Sequence, residues 1–341
     1  MADLFKYTKE LSELLESSDN ILLISHINPD GDAIGSQIAL YKYLLYKGRN
    51  VSMMCPNNLQ EFLKWMDGSE LIDVFIRDRK KCKRIIADSD LIIMLDFNHP
   101  GRLGEAEEHV TSSNAPRVII DHHLEPHPFA SLTITDPSRC STSELVYELV
   151  LTMEGTPFAD RAFAEAVYVG IVTDTGNFEY GSYTGRTLKI TADLIDSGIE
   201  RDRILNAVYN NFSSDRMRLL GYALHQKLVI LDEYRTAYIA LTRKELADFN
   251  HVKGDTEGFV NMPLSIKGIN FTVLFLEKDN FVKISFRSKG NFAVNEFASR
   301  YFNGGGHMNA SGGEYYDTLD NTIEYFLKVL GEIGEKPGNA I

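Results

Sequence analysis

The sequence predicts an α/β protein, a doubly wound and mainly parallel sheet followed by a smaller α+β domain. Three observations carry this. Short apolar runs at 21–24, 51–55, 91–95 and 118–120 alternate with stretches of helical period, as the buried strands of a parallel sheet do. The chain has 341 residues, more than one hydrophobic core usually serves. After about residue 225 the texture changes, and strand-type runs at 236–241, 271–276 and 281–288 replace the helices.

The elements follow in order. Residues 5–17 set Phe5, Leu11, Leu14 and Leu15 against Glu10, Glu13 and Glu16, which makes an amphipathic helix rather than a signal peptide. The strand at 21–24 runs into His26-Ile27-Asn28-Pro29-Asp30-Gly31-Asp32, and Ile38, Leu40, Tyr41, Leu44 and Leu45 then mark a helix to Lys47. The second strand stops at Pro56. The basic run from Arg77 to Arg84 reads as a solvated face. The third strand ends on Asp96, the fourth on Asp121-His122-His123. Helices are expected at 141–153 (N-capped by Ser141 or Thr142), 158–173, 186–197, 201–209 and 214–228. The polar stretch 201–224 is expected to connect a domain of residues 1–200 to one of residues 225–341. In the latter, Lys278-Asp279-Asn280 is a hairpin turn, 293–302 is helical and runs into Gly304-Gly305-Gly306-His307, and 319–333 is the last helix. A loose tail is expected at Pro337-Gly338-Asn339.

Composition excludes several classes. Hydrophobic residues make up 44% and charged ones 24%, the usual globular mix. A formal charge of −13 disfavours gripping long duplex nucleic acid, yet small phosphate ligands remain open, since a bound cation reverses the local field. Cys55, Cys82 and Cys140 are too scattered for a disulfide framework or a thiolate zinc site, and they fit a reducing compartment. No apolar run approaches the ~18 residues of a membrane span. A cytoplasmic protein without membrane contact is the expectation.

Four places put acids or imidazoles just past an apolar segment: His26/Asp30/Asp32, Asp96, Asp121-His122-His123, and Asp174. Each alone has a duller explanation, because Asp30-Gly31 is an ordinary turn pair and Asp96 could simply end a strand. Together they are hard to explain as structure, since strand carboxyl ends share one edge of a parallel sheet and these groups can converge there. Two histidines and four aspartates suit two hard or borderline divalent ions such as Mn²⁺ or Mg²⁺. A single closed zinc site would leave several acids unpaired.

These motifs resemble those of the DHH/DHHA1 phosphoesterases, most closely the oligoribonucleases (nanoRNases) that also dephosphorylate 3′-phosphoadenosine 5′-phosphate (pAp). The resemblance runs through H-x-N-P-D-G-D-A-I-G-S at 26–36, Asp96, Asp121-His122-His123, Asp174-Thr175-Gly176-x-Phe178, and Gly-Gly-Gly-His-x-x-Ala-Ser-Gly at 304–312. It implies that His26, Asp30 and Asp96 hold one ion and Asp32, Asp96, His122 and Asp174 the second, with Asp96 bridging. Mn²⁺ is the expected metal, with Mg²⁺ or Co²⁺ as alternatives. It further implies that Asp121 orients an imidazole and that His123 acts on the phosphoryl or leaving oxygen. Arg287, Ser288, Gly305, Gly306 and His307 would bind substrate from the second domain. Arg102 either joins them or is a plain loop arginine. The implied substrates are short RNA oligonucleotides, dinucleotides and pAp. Alternatives are a cyclic or linear dinucleotide phosphodiesterase, a pyrophosphatase or polyphosphatase, and a non-catalytic nucleotide binder. A homodimer is left open.

Overall fold

The computed structural model describes residues 2–179 and 183–333, so the tail at Pro337-Gly338-Asn339 lies outside the described residues. The chain forms two compact units that divide between Asn211 and Phe212. The first contains α1 (Ala2–Glu16), β1 (Asn20–Ile24), α2 (Gly31–Tyr46), β2 (Asn50–Cys55), β3 (Ile72–Val74), α3 (Arg79–Asp88), β4 (Leu91–Leu95), α4 (Glu107–Thr111), β5 (Arg117–Asp121), β6 (Leu132–Thr135), α5 (Thr142–Glu154), α6 (Arg161–Asp174), α7 (Gly185–Asp196) and α8 (Arg201–Tyr209).

Its six strands are all parallel, in the order β3-β2-β1-β4-β5-β6. The winding reverses between β1 and β4, and doubly wound sheets hold their ligands beyond the strand ends at such a reversal. His26 follows β1 and Asp96 follows β4, so the two flank it.

Each strand feeds two cores. In β1, Ile21 and Leu23 pack with α2, α5 and α6, while Leu22 and Ile24 pack with Cys82 and Ile86 of α3 and Val110 of α4. With both faces covered, the strands are apolar throughout rather than alternating. Helices α2 and α6 cross closely because Gly35 has no side chain: a Cβ there would stand 2.5 Å from the Ala166 carbonyl oxygen, which is backbone and cannot yield.

The second unit contains α9 (Ser214–Gln226), β7 (Leu228–Leu231), β8 (Thr236–Leu241), α10 (Arg243–Asp248), β9 (Phe271–Glu277), β10 (Val282–Ser288), α11 (Val294–Tyr301), β11 (Gly305–His307), β12 (Ala310–Tyr315) and α12 (Leu319–Glu332). Its sheet runs β11-β12-β10-β9-β8-β7, antiparallel except for the β8–β9 pair. One face carries an aromatic core built on Phe271, Phe275, Phe286, Phe297, Phe302 and Phe326.

Five strands, β3, β6, β7, β11 and β12, were not expected from the sequence. β6 alternates buried Leu132 and Ile134 with half-buried threonines at the sheet edge, and β7 takes over Leu228, where the helical period was expected to continue. The expected connector 201–224 consists of two helices in different cores: Ile204 and Val208 of α8 in the first unit, Leu219 and Ala223 of α9 in the second. The basic run forms the first turns of α3, with Arg79 paired to Glu105 and Lys81 to Asp73 at the surface.

Candidate metal centre

The first loop builds its half of the site by dividing each side chain between two tasks. Asp30 caps α2, its Oδ1 accepting the N–H groups of Asp32 (3.1 Å) and Ala33 (3.0 Å), while its Oδ2 lies 3.9 Å from His26 Nε2. His26 is buried and its Nδ1 meets the Ile27 carbonyl oxygen at 2.7 Å, so Nε2 is the atom turned to the acids. His122 repeats the arrangement, with Nδ1 on the Arg139 carbonyl at 3.2 Å and Nε2 3.2 Å from Asp174. A backbone carbonyl behind one nitrogen and carboxylates before the other is the setting that fixes an imidazole as a metal ligand.

Asp96 stands between these halves. Its Oδ2 is 3.3 Å from His26 Nε2, and its Oδ1 is 3.7 Å from His122 Nε2 and 3.9 Å from His123 Nδ1. The Thr142 hydroxyl donates to Oδ1 at 3.0 Å. Asp32 is wholly buried at the N-terminus of α5, where the N–H groups of Thr142 (2.6 Å) and Ser143 (2.8 Å) each donate to one of its oxygens. Each carboxylate oxygen keeps a second lone pair for a cation.

Among the described residues, three groups of ligand atoms result: His26/Asp30/Asp96, Asp32/His122/Asp174, and Asp96/His122/His123. The first has the same residues as one set implied by the sequence resemblance, and the second has three of the four residues of the other, with Asp96 meeting His122 in the third group instead. The third brings His123 nearer to ligand position than that resemblance implied. Asp121, also buried, meets His123 Nδ1 at 2.6 Å, so the imidazole it orients is that of His123.

Crowding moves these groups away from their ordinary pKa values. Burial, then the charges of Asp96 and Asp174, push Asp32 well above the usual carboxylate range. Burial likewise carries Asp174 from 3.8 to about 6, against the hydrogen bond to His122. For Asp96, burial is outweighed by the His26 hydrogen bond and by the charges of His123, His26 and His122, which hold it well below that range. Burial also opposes charge on His26 and His122, yet their aspartate partners raise both above 6.5. Burial works against His123 too, and the Asp121 hydrogen bond and the Asp96 charge raise it. Aspartate oxygens and imidazole nitrogens that converge in this way form a donor set that fits divalent cations.

The remaining expected residues are Arg102 in the first unit and Arg287, Ser288 and the glycine run in the second. Arg102 is exposed, its carbonyl accepts the Ile27 N–H at 2.8 Å, and its charge bears on His26, opposing protonation there. Ser288 is occupied within the second unit, donating to the Phe292 carbonyl at 2.7 Å and accepting from Asn309 at 2.9 Å. Arg287 on β10 donates to the Phe286 carbonyl at 2.9 Å. Gly305 and Gly306 of the glycine run begin edge strand β11, which is paired to β12. Gly304 and Gly306 are crowded by backbone, whereas Gly305 borders open space. The side chain of His307 lies outside what the structure describes.

Thr142, Ser143 and Gly170 are site residues that the sequence reading missed. Gly170 leaves room for its neighbours, since a Cβ there would meet Ser143 Oγ at 1.9 Å and Asp32 Oδ1 at 2.6 Å. The Ser-Thr-Ser-Glu string at 141–144 is the one available signal: it is a helix start whose second and third residues offer unpaired N–H groups.

The DHH family N-terminal domain matches residues 20–171, and the DHHA1 domain matches residues 236–335. The chain is 30% identical over 312 residues to the bifunctional oligoribonuclease and PAP phosphatase NrnA of Bacillus subtilis, covering 90% of this chain and 93% of that one. It is 26% identical over 327 residues to the protein of the same name from Thermus thermophilus, covering 94% of this chain and 93% of that one. A crystal structure of an exopolyphosphatase-related protein from Bacteroides fragilis aligns with a TM-score of 0.92 at 40% identity, covering 96% of each chain. No described helix is long and apolar enough to cross a membrane. The chain belongs to the DHH family of phosphoesterases and carries a DHHA1 domain.

Proposed function

We propose that this protein is a two-ion phosphohydrolase that releases mononucleotides from very short RNA and removes the 3′-phosphate of pAp. The observation that carries the reading is Asp96, whose two oxygens face different ligand clusters. His26 and Asp30 would complete one site, and Asp32, His122 and Asp174 the other. Mn²⁺ is the favoured metal, since mixed imidazole and carboxylate donors suit it. Two such ions supply Lewis-acid charge and lower the pKa of a bound water toward 7. Asp121 holds His123 by Nδ1, so Nε2 is the atom that would stabilise phosphoryl charge or pass a proton to the leaving oxygen.

Residues 1–200 would form the catalytic DHH domain, 201–224 a helical connector and 225–341 the substrate-binding DHHA1 domain. Arg287, with its planar donor fork, the backbone N–H groups of Gly305 and Gly306, and His307 are the proposed phosphate contacts. Ser288 supports the strand end that carries Arg287, and Arg102 sits beside the His26 cluster. The names of the Bacillus and Thermus relatives support the RNA and pAp activities. The name of the Bacteroides relative makes polyphosphate the competing substrate to test.

The test is a comparison of kcat/KM for Mn²⁺-loaded protein on pAp, a ribodinucleotide, cyclic di-AMP, pyrophosphate and polyphosphate. The reading expects pAp and the dinucleotide to lead pyrophosphate and polyphosphate by at least about tenfold. Preference for cyclic di-AMP or polyphosphate would replace it. Binding of pAp without turnover would make the protein a nucleotide sensor.

A further inference from the structure

Two buried glutamates of α5 tie the ligand-bearing segments together from behind. Glu144 and Glu148 lie one helical turn apart and are 1% and 0% exposed. Glu148 accepts from Arg139 Nε at 2.5 Å and from Arg186. Glu144 accepts the Cys140 N–H at 2.8 Å and the Thr187 hydroxyl at 2.9 Å. Both therefore grip the same two segments, the turn ahead of α5 and the first turn of α7.

Each segment leads to the metal centre. The Arg139 carbonyl fixes His122 through Nδ1, and the turn continues into Thr142 and Ser143, which hold Asp32 and Asp96. α7 is the next helix after Asp174 closes α6. Stability alone does not explain carboxylates at these positions, because apolar side chains of similar volume in place of a buried ion pair are often as stable or more so. Directional hydrogen bonds, by contrast, set where a carbonyl points.

We propose that Glu148, with Glu144 beside it, is a positioning residue for the Asp32/His122/Asp174 cluster. It holds the Arg139 carbonyl where that carbonyl aims the His122 ring, and it ties the turn to the helix that follows Asp174. This rests on the two-ion reading above.

The experiment is Mn²⁺ titration of the full-length protein by calorimetry and EPR, comparing wild type, Glu148→Gln and Glu154→Gln. Glu154 lies on the same helix but bonds Tyr43 and Lys47, so it reports a purely structural loss. The wild type should bind two ions. Glu148→Gln should weaken one of them by about 10- to 100-fold, spare the other and reduce the spin-coupled signal. Glu154→Gln should bind both as wild type does, whatever its melting temperature. Arg186→Gln alters an exposed partner of Glu148, should weaken the same ion less, and decides the matter if Glu148→Gln does not fold. Wild-type affinity for both ions in Glu148→Gln, or in Arg186→Gln where that variant decides, overturns the proposal, as does equal weakening of both. A wild type that binds fewer than two ions overturns the two-ion reading itself.

Discussion

At Asp96 a buried carboxylate, a left-handed backbone (φ 66°) and three surrounding imidazoles meet in one residue. Such a backbone costs about 1–3 kcal/mol outside glycine and persists only where its surroundings enforce it. Its neighbour His123 poses a sharper question, since it both belongs to a possible ligand group and is held by Asp121. His123→Gln should lower kcat by about 10²–10⁴-fold while Mn²⁺ affinity holds. Loss of an ion in calorimetry would make His123 a ligand instead. Gly170→Ala should destabilise by about 1–3 kcal/mol, because its Cβ collides with Ser143 and Asp32, and thermal unfolding with no loss would contradict the packing described. The proposed ligands stood out in the sequence because each lies at or a few residues past the end of an apolar segment. Thr142, Ser143 and Gly170 did not, because they contribute backbone N–H groups, one hydroxyl that also suits a helix start, and an absent side chain.

Among the elements, the strongly apolar strands β1, β4 and β5 were read correctly because both their faces are covered. Edge strands β3 and β6 were not, since a strand with one partner needs little apolar character. The glycine run shows why one motif supports two readings. Gly304 and Gly306 are explained by the tight approach of β11 to β12, and Gly306 also needs its φ of 143°. Gly305 has neither constraint. Gly305→Ala should therefore fold normally and raise KM for pAp, if its N–H approaches a phosphate. Gly306→Ala should lower the melting temperature by several degrees, roughly what 1 kcal/mol does in a domain of this size. A Gly305→Ala enzyme with unchanged KM would leave the run a structural feature only.

For the molecule as a whole, the crowded acids make stability depend on pH and metal together. Asp174, raised from 3.8 to about 6, and Asp32, also raised, keep protons in the folded state that the unfolded chain has released. Their contribution is full at low pH and is lost as pH rises through the folded values. His26, His122 and His123, raised above 6.5, add support that is present below 6.5 and lost at higher pH. Asp96, held low, acts oppositely, and its support is lost only as pH falls below 3.8. A divalent cation does the work of the missing protons. Mn²⁺ should thus raise the melting temperature more at pH 8 than at pH 5, with about 2.7 kcal/mol gained at a hundred times Kd. Equal gains in scanning calorimetry at the two pH values would contradict this. The most direct test of the two-ion centre is kcat/KM for pAp and a ribodinucleotide with Mn²⁺-loaded wild type and Asp96→Asn. The account predicts turnover by the wild type and a loss of about 10³-fold or more in a variant whose circular dichroism is unchanged. Near-normal rates in Asp96→Asn would contradict it.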